Sequence, residues 1–433
     1  MGRRASRTSS STSRAGTTVG AARTTRAVRP AALPAVAALA VAGLLLTGCS
    51  AAGKAGSEDA GSGKSGSASA VKVGLVYSRT GLLADYGKQY RDGFMAGLDY
   101  ATKGTGKVAG HRIEVTEQDD AGDPGKAVSA AKNLIGKGYK VLAGTTDSGV
   151  ALQMAPLAAQ NKVLYISGPA ATDAVTGIND YTFRSGRQSY QDILTAGAML
   201  GDAKGKKVTV LAQDSTFGQA NVAAVKAVLG AKGAKVGSVL APPSATDLTP
   251  FARQVKAGGP DLVFVAWAGS TAPALWTALD QQGVLGAGKV VTGLAGTASY
   301  PVFGAAGAKV SFLAHYFPGA GGGNAAEKAM LGSVEKAGGT PDLFTPDGFT
   351  AAQMIVRAVA EGSATDPAAM VKALEGWTFD GVKGKAQVRA EDHALVQPMF
   401  VARLTGKGAA LKPELLDTEP MDAVAPPVKP SAG

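Results

Sequence analysis

Residues 71–102 read "VKVGLVYSRTGLLADYGKQYRDGFMAGLDYAT", and this stretch decides how the rest of the chain is parsed. Positions 71–77 form a short, almost continuous apolar run with three valines, the pattern of a strand buried on both faces. Over 86–102, Tyr90, Phe94, Ala96–Gly97 and Leu98 fall near one face at helical spacing, so a helix follows. The loop between them, "SRTGLLADYG" (78–87), is rich in small and polar residues. Strand, loop and amphipathic helix make the first half of a βαβ unit.

The same cycle repeats outward. Strands are expected at 112–118, 140–144 and 162–167, with helices at 123–137 and 149–160, the first opened by Asp123 and Pro124. After residue 190 the cycle restarts. Helices 190–201, 218–229, 248–257 and 272–282 alternate with strands 207–213, 235–240, 262–268 and 289–294. Such alternation implies parallel sheets covered by helices, and two series imply an α/β fold of two lobes with a cleft between them. Ligands of open parallel sheets bind beyond the carboxyl ends of the strands. In the first series those ends run into 78–87, "GTTDSG" (144–149) and "SGPAATD" (167–173). In the second they run into "DSTFG" (214–218), "AWAGS" (266–270) and "LAGTAS" (294–299). Helix N-termini at such loops suit a carboxylate or other anion.

The bulk numbers exclude several functions. The chain has 433 residues and a formal charge of +11, but residues 1–48 hold seven arginines with no lysine or acid. Without them, 37 basic residues face 33 acidic ones, so a nucleic-acid partner is not expected. The single cysteine, Cys49, rules out an internal disulfide or a CxxC metal site. His111, His315 and His393 lie far apart and are expected as ordinary surface or half-buried residues, with no metal and no cofactor. "GSGKS" in the tether carries Glu58 where a phosphate-binding loop needs its first glycine, and no strand precedes it.

The first 48 residues read as an export signal: an arginine-rich segment, then an apolar run from Ala31 to Leu46, interrupted by Pro34. That run is shorter than the ~20 residues that span a bilayer. Its end, Leu46-Thr47-Gly48-Cys49, resembles the lipobox of bacterial lipoproteins, which implies cleavage before Cys49 and a lipid on its thiol. Two acyl chains are the number that anchors stably. Residues 50–70, of which 17 are Gly, Ser or Ala, form a flexible tether.

Several patches in order over residues 71–404 resemble the substrate-binding proteins of ABC importers, in the leucine/isoleucine/valine-binding branch with the type I periplasmic-binding fold. They are "GLVYSRTGLLADYG", "DDAGDPGKAV" (119–128), "ISGPAATD" (166–173), "YTFRSGRQSY" (181–190), "DSTFGQANVAAVK" (214–226) and "DPAAMVKALEG...VKGKAQV" (366–388). The resemblance implies capture of a small solute by closure of two lobes and delivery to a membrane permease, by a monomer held on the extracytoplasmic face through Cys49. It implies three crossings between lobes, near 185–190, 314–319 and 381–386. Lobe 1 is then 71–188 plus 317–383, lobe 2 is 189–316 plus 384–406, and 407–433 is a Pro-rich tail.

Carried over by residue, the resemblance implies ligand contacts at Tyr86, Ser148, Gly149, Ala170 and Thr172 in the first lobe, with Arg187 near the first crossing. In the second it implies Phe217, Trp267 and Gly269. Amino-acid binders of this branch pair the α-ammonium with a carboxylate, and the matching position here is Ala295. Asp147 or Asp214 could substitute. Arg184 and Arg187, with Phe217 and Trp267, suit an apolar or aromatic carboxylate equally, while arginines at a hinge also serve as structural ion pairs. Cysteines that brace the first-lobe site in some relatives are replaced by Gly122 and Asp147. An enzyme is not expected, because no Gly-x-Ser-x-Gly elbow is present. A sensor lipoprotein of the same fold, not coupled to transport, is the alternative.

Overall fold

The computed structural model describes residues 69–431; the expected export signal, Cys49 and nearly all of the expected tether fall outside the described residues. Strand β1 (Val71–Tyr77) is buried at every position but Lys72, as its apolar run requires. It lies inside a six-stranded sheet with β2 (Lys107–Val108), β3 (His111–Asp119), β4 (Val141–Ala143), β5 (Leu164–Ser167) and β6 (Thr182–Arg184), in the order β2-β3-β1-β4-β5-β6. All pairings are parallel except the short β2–β3 hairpin. The second sheet holds β7 (Lys207–Gln213), β8 (Lys235–Ala241), β9 (Leu262–Ala266), β10 (Lys289–Gly293) and β11 (Val310–Ala314). β9 is buried at all five positions, the signature of a central strand covered on both faces.

The expected helices and strands lie within a few residues of their observed bounds, and β1 and β7 match their expected ranges. β12 (Thr378–Gly381), β13 (Gly384–Val388) and β14 (Leu395–Val396) form a small antiparallel sheet. Ala386, Val388 and Leu395 pack into the core that contains Val73, Leu75 and Ile166. Residues 384–396 therefore sit with the first sheet, not with the second as expected. The chain enters the second sheet only at β15 (Met399–Thr405), antiparallel to β11, and β16 (Lys412–Glu419) adds an edge. The order is β16-β15-β11-β10-β9-β7-β8.

The helix Thr345–Arg357 returns the chain to the first sheet by lying against the helix Ala84–Ala101. Their backbones nearly touch: a Cβ on Gly93 would stand 1.9 Å from the Thr345 carbonyl oxygen, and one on Gly348 1.9 Å from that of Tyr90. Only glycine permits this approach.

The region expected as a Pro-rich tail is not free. Beyond β16, Val424 is 1% exposed and packs in the second sheet's core beside Ile193 and Met399. Arg389 then donates to the Pro426 and Pro427 carbonyls at 2.7 and 3.3 Å, and Lys429 N donates to Asp392 Oδ2 at 3.1 Å. Residues 424–431 thus strap the second sheet back onto the first. Among the described residues no helix is long and apolar enough to cross a membrane.

Candidate functional site: a cleft between the two sheets

The first-sheet loops are tied together by one buried acid. Asp120, at the end of β3, accepts from Ser78 Oγ at 2.7 Å and Gly122 N at 2.8 Å, and also from Thr145 Oγ1. It therefore fixes the loops after β1, β3 and β4 in one arrangement. Asp147 caps the helix Ser148–Gln160, its Oδ1 accepting from Val150 N at 2.9 Å. Burial pushes its pKa up against that hydrogen bond. Ser148 Oγ in turn accepts from Thr172 N at 3.3 Å, joining the loop after β5.

The loops of the two sheets meet. Gly269 N donates to Tyr86 Oη at 3.4 Å, and Thr297 N donates to Asp342 Oδ2 at 2.8 Å. Behind these contacts lie two joined compartments. The outer, about 320 Å³, is bordered by Leu82, Tyr86, Thr146, Asp147, Ser148 and Phe217. The inner, about 70 Å³, is set between Trp267, Trp276, Ala295, His315 and Asp192. Tyr86, Arg187, Phe217, Ala268 and Phe344 line both. Tyr86 and Phe344 pack edge to face with centroids 4.7 Å apart.

Arg187 is the only arginine or lysine among the described lining residues of either compartment. Its Nη1 donates to the Pro169 carbonyl at 2.8 Å, its Nε donates to His315 Nε2 at 2.8 Å, and Nε lies 3.4 Å from Asp192 Oδ2. The guanidinium carbon stands 5.5 Å from the Phe344 ring centre. Burial alone would raise the Asp192 carboxyl, but Arg187 and His315 beside it hold it below its usual range. Burial and the neighbouring Arg187 charge push His315 down to about 4. Arg184 differs from Arg187. It is fully buried behind the cleft and donates to the carbonyls of Thr172, Ala170 and Arg187 at 2.8, 2.5 and 2.9 Å.

Of the residues singled out from sequence, Tyr86, Ser148, Arg187, Phe217 and Trp267 border the cavity. Gly149 faces Thr216 of the second-sheet side, and Gly269 meets Leu82. Ala170 and Thr172 stand one layer back, their carbonyls held by Arg184. Of the proposed substitutes for the missing acid, Asp214 is exposed and bonded to Gln219, away from the cavity. Asp147 borders it. His315 and His393, expected at or near the surface, are 6% and 3% exposed. His315, Asp192, Phe344 and Trp276 were not anticipated. His315 directly follows β11, so the strand-end rule would have reached it had "VSFLA" (310–314) been read as a strand. Phe344 precedes a helix in a segment with no strand, and its sequence carries no such signal.

Two α/β lobes meeting over an aromatic-walled cavity of solute size define a two-lobed binding protein rather than a channel or a scaffold. Residues 70–409 match the family described as Periplasmic binding protein, and the chain belongs to that family. It is 29% identical over 197 residues to the Leu/Ile/Val-binding protein BraC3 of Rhizobium johnstonii, a match covering 45% of this chain and 53% of that one. Against that relative the chain thus spans about half the length. A crystal structure of an ABC-type branched-chain amino acid transporter protein from Rhodopseudomonas palustris is 32% identical, with a TM-score of 0.68, covering 83% of this chain and 99% of its own. A solute-binding protein of an ABC transporter from Rhodopseudomonas palustris, in complex with p-hydroxybenzoic acid, is 25% identical, with a TM-score of 0.74 and coverages of 82% and 97%.

Proposed function

We propose that this protein is the lipid-anchored, extracytoplasmic solute-binding component of an ABC importer, which closes two lobes on a small carboxylate and hands it to the permease. The observation that carries the ligand class is Arg187, a single buried cation set among aromatic side chains where the two compartments join. A carboxylate there gains a charge-assisted hydrogen bond, and the rings accept an apolar or aromatic body. An ammonium finds less. Ala295 carries no charge, and Asp192 is already shared between Arg187 and His315. A buried, unpaired ammonium costs several kcal/mol. The relative crystallised with p-hydroxybenzoic acid supports this reading. Anchoring through Cys49, a monomeric state and delivery to a permease follow the lipobox and the family. No catalytic step belongs to this reading.

One observation favours a second reading, a branched-chain amino acid: Asp147 is an acid on the outer cavity, where it could face an ammonium. Titration calorimetry on the full chain in detergent separates the two. Benzoates and aliphatic acids should bind one to one, and Arg187→Met should weaken them roughly a hundredfold. Leucine or valine binding tighter than any simple acid, and lost in Asp147→Asn, would replace the first reading by the second.

A further inference from the structure

Asp342 accepts a backbone hydrogen bond on each carboxylate oxygen, and the two donors belong to different lobes. Oδ1 accepts from Leu343 N at 2.8 Å, within its own segment, and Oδ2 accepts from Thr297 N at 2.8 Å, in the loop after β10. The side chain is buried, and among the described residues it forms no ion pair. Burial pushes its pKa up, and the bonds from Thr297 and Leu343 oppose that shift. The carboxylate is thus held by N–H donors, one of which it has only while the two loops meet.

The two sides are prepared differently. The first lobe fixes the acid by itself: Asp342 N donates to Thr345 Oγ1 at 2.9 Å, and Thr345 N donates back to the Asp342 carbonyl at 3.0 Å. Phe344 N donates to Gln89 Oε1 at 3.0 Å, tying the segment to the helix Ala84–Ala101. The second lobe leaves its donor open. Thr297 begins a short turn (Thr297–Ser299) whose preceding residue, Gly296, has no side chain to cap it. Gly296 also permits the approach, since a Cβ there would stand 3.1 Å from Asp342 Oδ2. Of the two bonds between opposing loops described above, this one is the shorter, 2.8 Å against 3.4 Å for Tyr86, and its acceptor is a carboxylate. Bonds to a charged acceptor are roughly twice as strong as neutral ones. Leu343 and Phe344 beside Asp342, and Ala295 and Ser299 flanking Thr297, line the inner compartment, so making the bond brings two cavity walls together.

We propose that Asp342 is the latch of lobe closure, a positioning residue outside the lining of both compartments that holds the loop 294–299 of the second lobe against the first by taking the Thr297 N–H. This rests on the two-lobed capture reading above and assigns the group that ends the closing motion. Because both partners belong to the protein, the latch forms in the ligand-free chain whenever the lobes meet, and release of the solute requires it to break.

The donor can be deleted without touching the acid. Thr297→Pro removes the N–H, proline suits the first position of a helical turn, and Gly296 at φ −62° and ψ 152° already has the backbone that precedes proline. Calorimetry on the full chain in detergent, with a panel of benzoate, 4-hydroxybenzoate, 4-methylpentanoate and leucine, gives Kd for the wild type, Asp342→Ala, Thr297→Pro and the double variant. Each single variant should weaken the tightest compound about ten- to a hundredfold, and the double variant no more than the weaker single. Asp342→Asn, which keeps an acceptor, should recover most of the loss. A role confined to the first lobe predicts independent effects, so factors that multiply in the double variant would overturn the proposal. Amide exchange without ligand, followed by nuclear magnetic resonance, is the second arm. The Thr297 N–H should exchange about ten- to a hundredfold faster in Asp342→Ala than in the wild type, and equal rates would overturn the proposal. If Asp342→Ala does not fold, Gly296→Val, which sets a branched side chain against Asp342 Oδ2, takes its place in the exchange arm, where wild-type protection would be equally fatal. If no compound of the panel binds, the carboxylate and amino-acid readings of the solute fall, while exchange still decides the latch.

Discussion

Replacing Gly269 by alanine should separate the energy of lobe closure from that of folding. Gly269 follows β9 with φ +83°, and it meets Leu82 from the loop after β1. An added Cβ would stand 2.7 Å from Leu82 Cγ and 2.8 Å from the Leu82 carbonyl oxygen. The side chain could swing away; the carbonyl belongs to the backbone and could not. The substitution has two costs. A Cβ in the left-handed region costs about 1 kcal/mol whether the lobes are open or closed. The clash exists only when they meet, and overpacking of this kind costs about 1–3 kcal/mol. If ligand binding draws on closure, as proposed, Kd should rise about 5- to 150-fold. Gly259→Ala is the matched control, with φ +55° and nothing within 4 Å of its Cβ. It bears the backbone cost alone, so its Tm should fall while its Kd stays put. Calorimetry with the tightest acid of the panel gives Kd, thermal melting gives Tm, and small-angle scattering with and without ligand reports compaction. Wild-type affinity in Gly269→Ala, together with a melt like that of Gly259→Ala, would refute the view that these loops touch in the liganded state.

Cys49→Ala should move the protein from the membrane to the soluble fraction; full membrane retention would end the lipoprotein reading. For pH, the folded-state pKa of His315 lies near 4, below the 6.5 of the free side chain, so its neutral form is favoured by folding. Stability should therefore be intact above pH 6.5 and fall as pH drops towards 4, by about 2–3 kcal/mol at pH 4.5 from this group alone. Arg187, Asp192 and Lys383 surround it, and burial of Asp347 shifts that carboxyl the opposite way, so the comparison must be with His315→Gln. Urea unfolding at pH 7 and 4.5 should show the variant losing less; equal losses would contradict the assignment. Val424→Ala should cost about 2–3 kcal/mol, two methyl groups plus a cavity, although Val424 lies in the segment that reads as a tail. A melting temperature within a degree of wild type would show that the strap carries no load.

The positions of strands and helices were readable along the chain wherever local pattern decides them. β9 is covered on both faces and its apolar run is unbroken, β1 and β7 are nearly so, and Pro124 and Asp123 mark a helix start. The strand-end loops were readable for the same reason; that Tyr86, Ser148, Phe217 and Trp267 within them are the contacts came only from the family resemblance. The two-residue β14 and the edge strand β16, with Leu415 and Leu416 exposed, carry too little periodicity to be seen, and with them went the third crossing and the strap. Arginine sequence context does not distinguish Arg184 from Arg187 three residues on. One is consumed by three carbonyls behind the cleft, and the other faces into it.

By itself the sequence determined two α/β lobes and polar loops at their strand ends, because each of these is a matter of composition or local periodicity. Only the tertiary structure decided which side chains share the cavity. Asp120 binds three loops, Thr345–Arg357 docks on glycines far earlier in the chain, and Arg187 meets His315 across 128 residues. These are contacts between distant segments, set by how two sheets close on each other, and no local pattern encodes them.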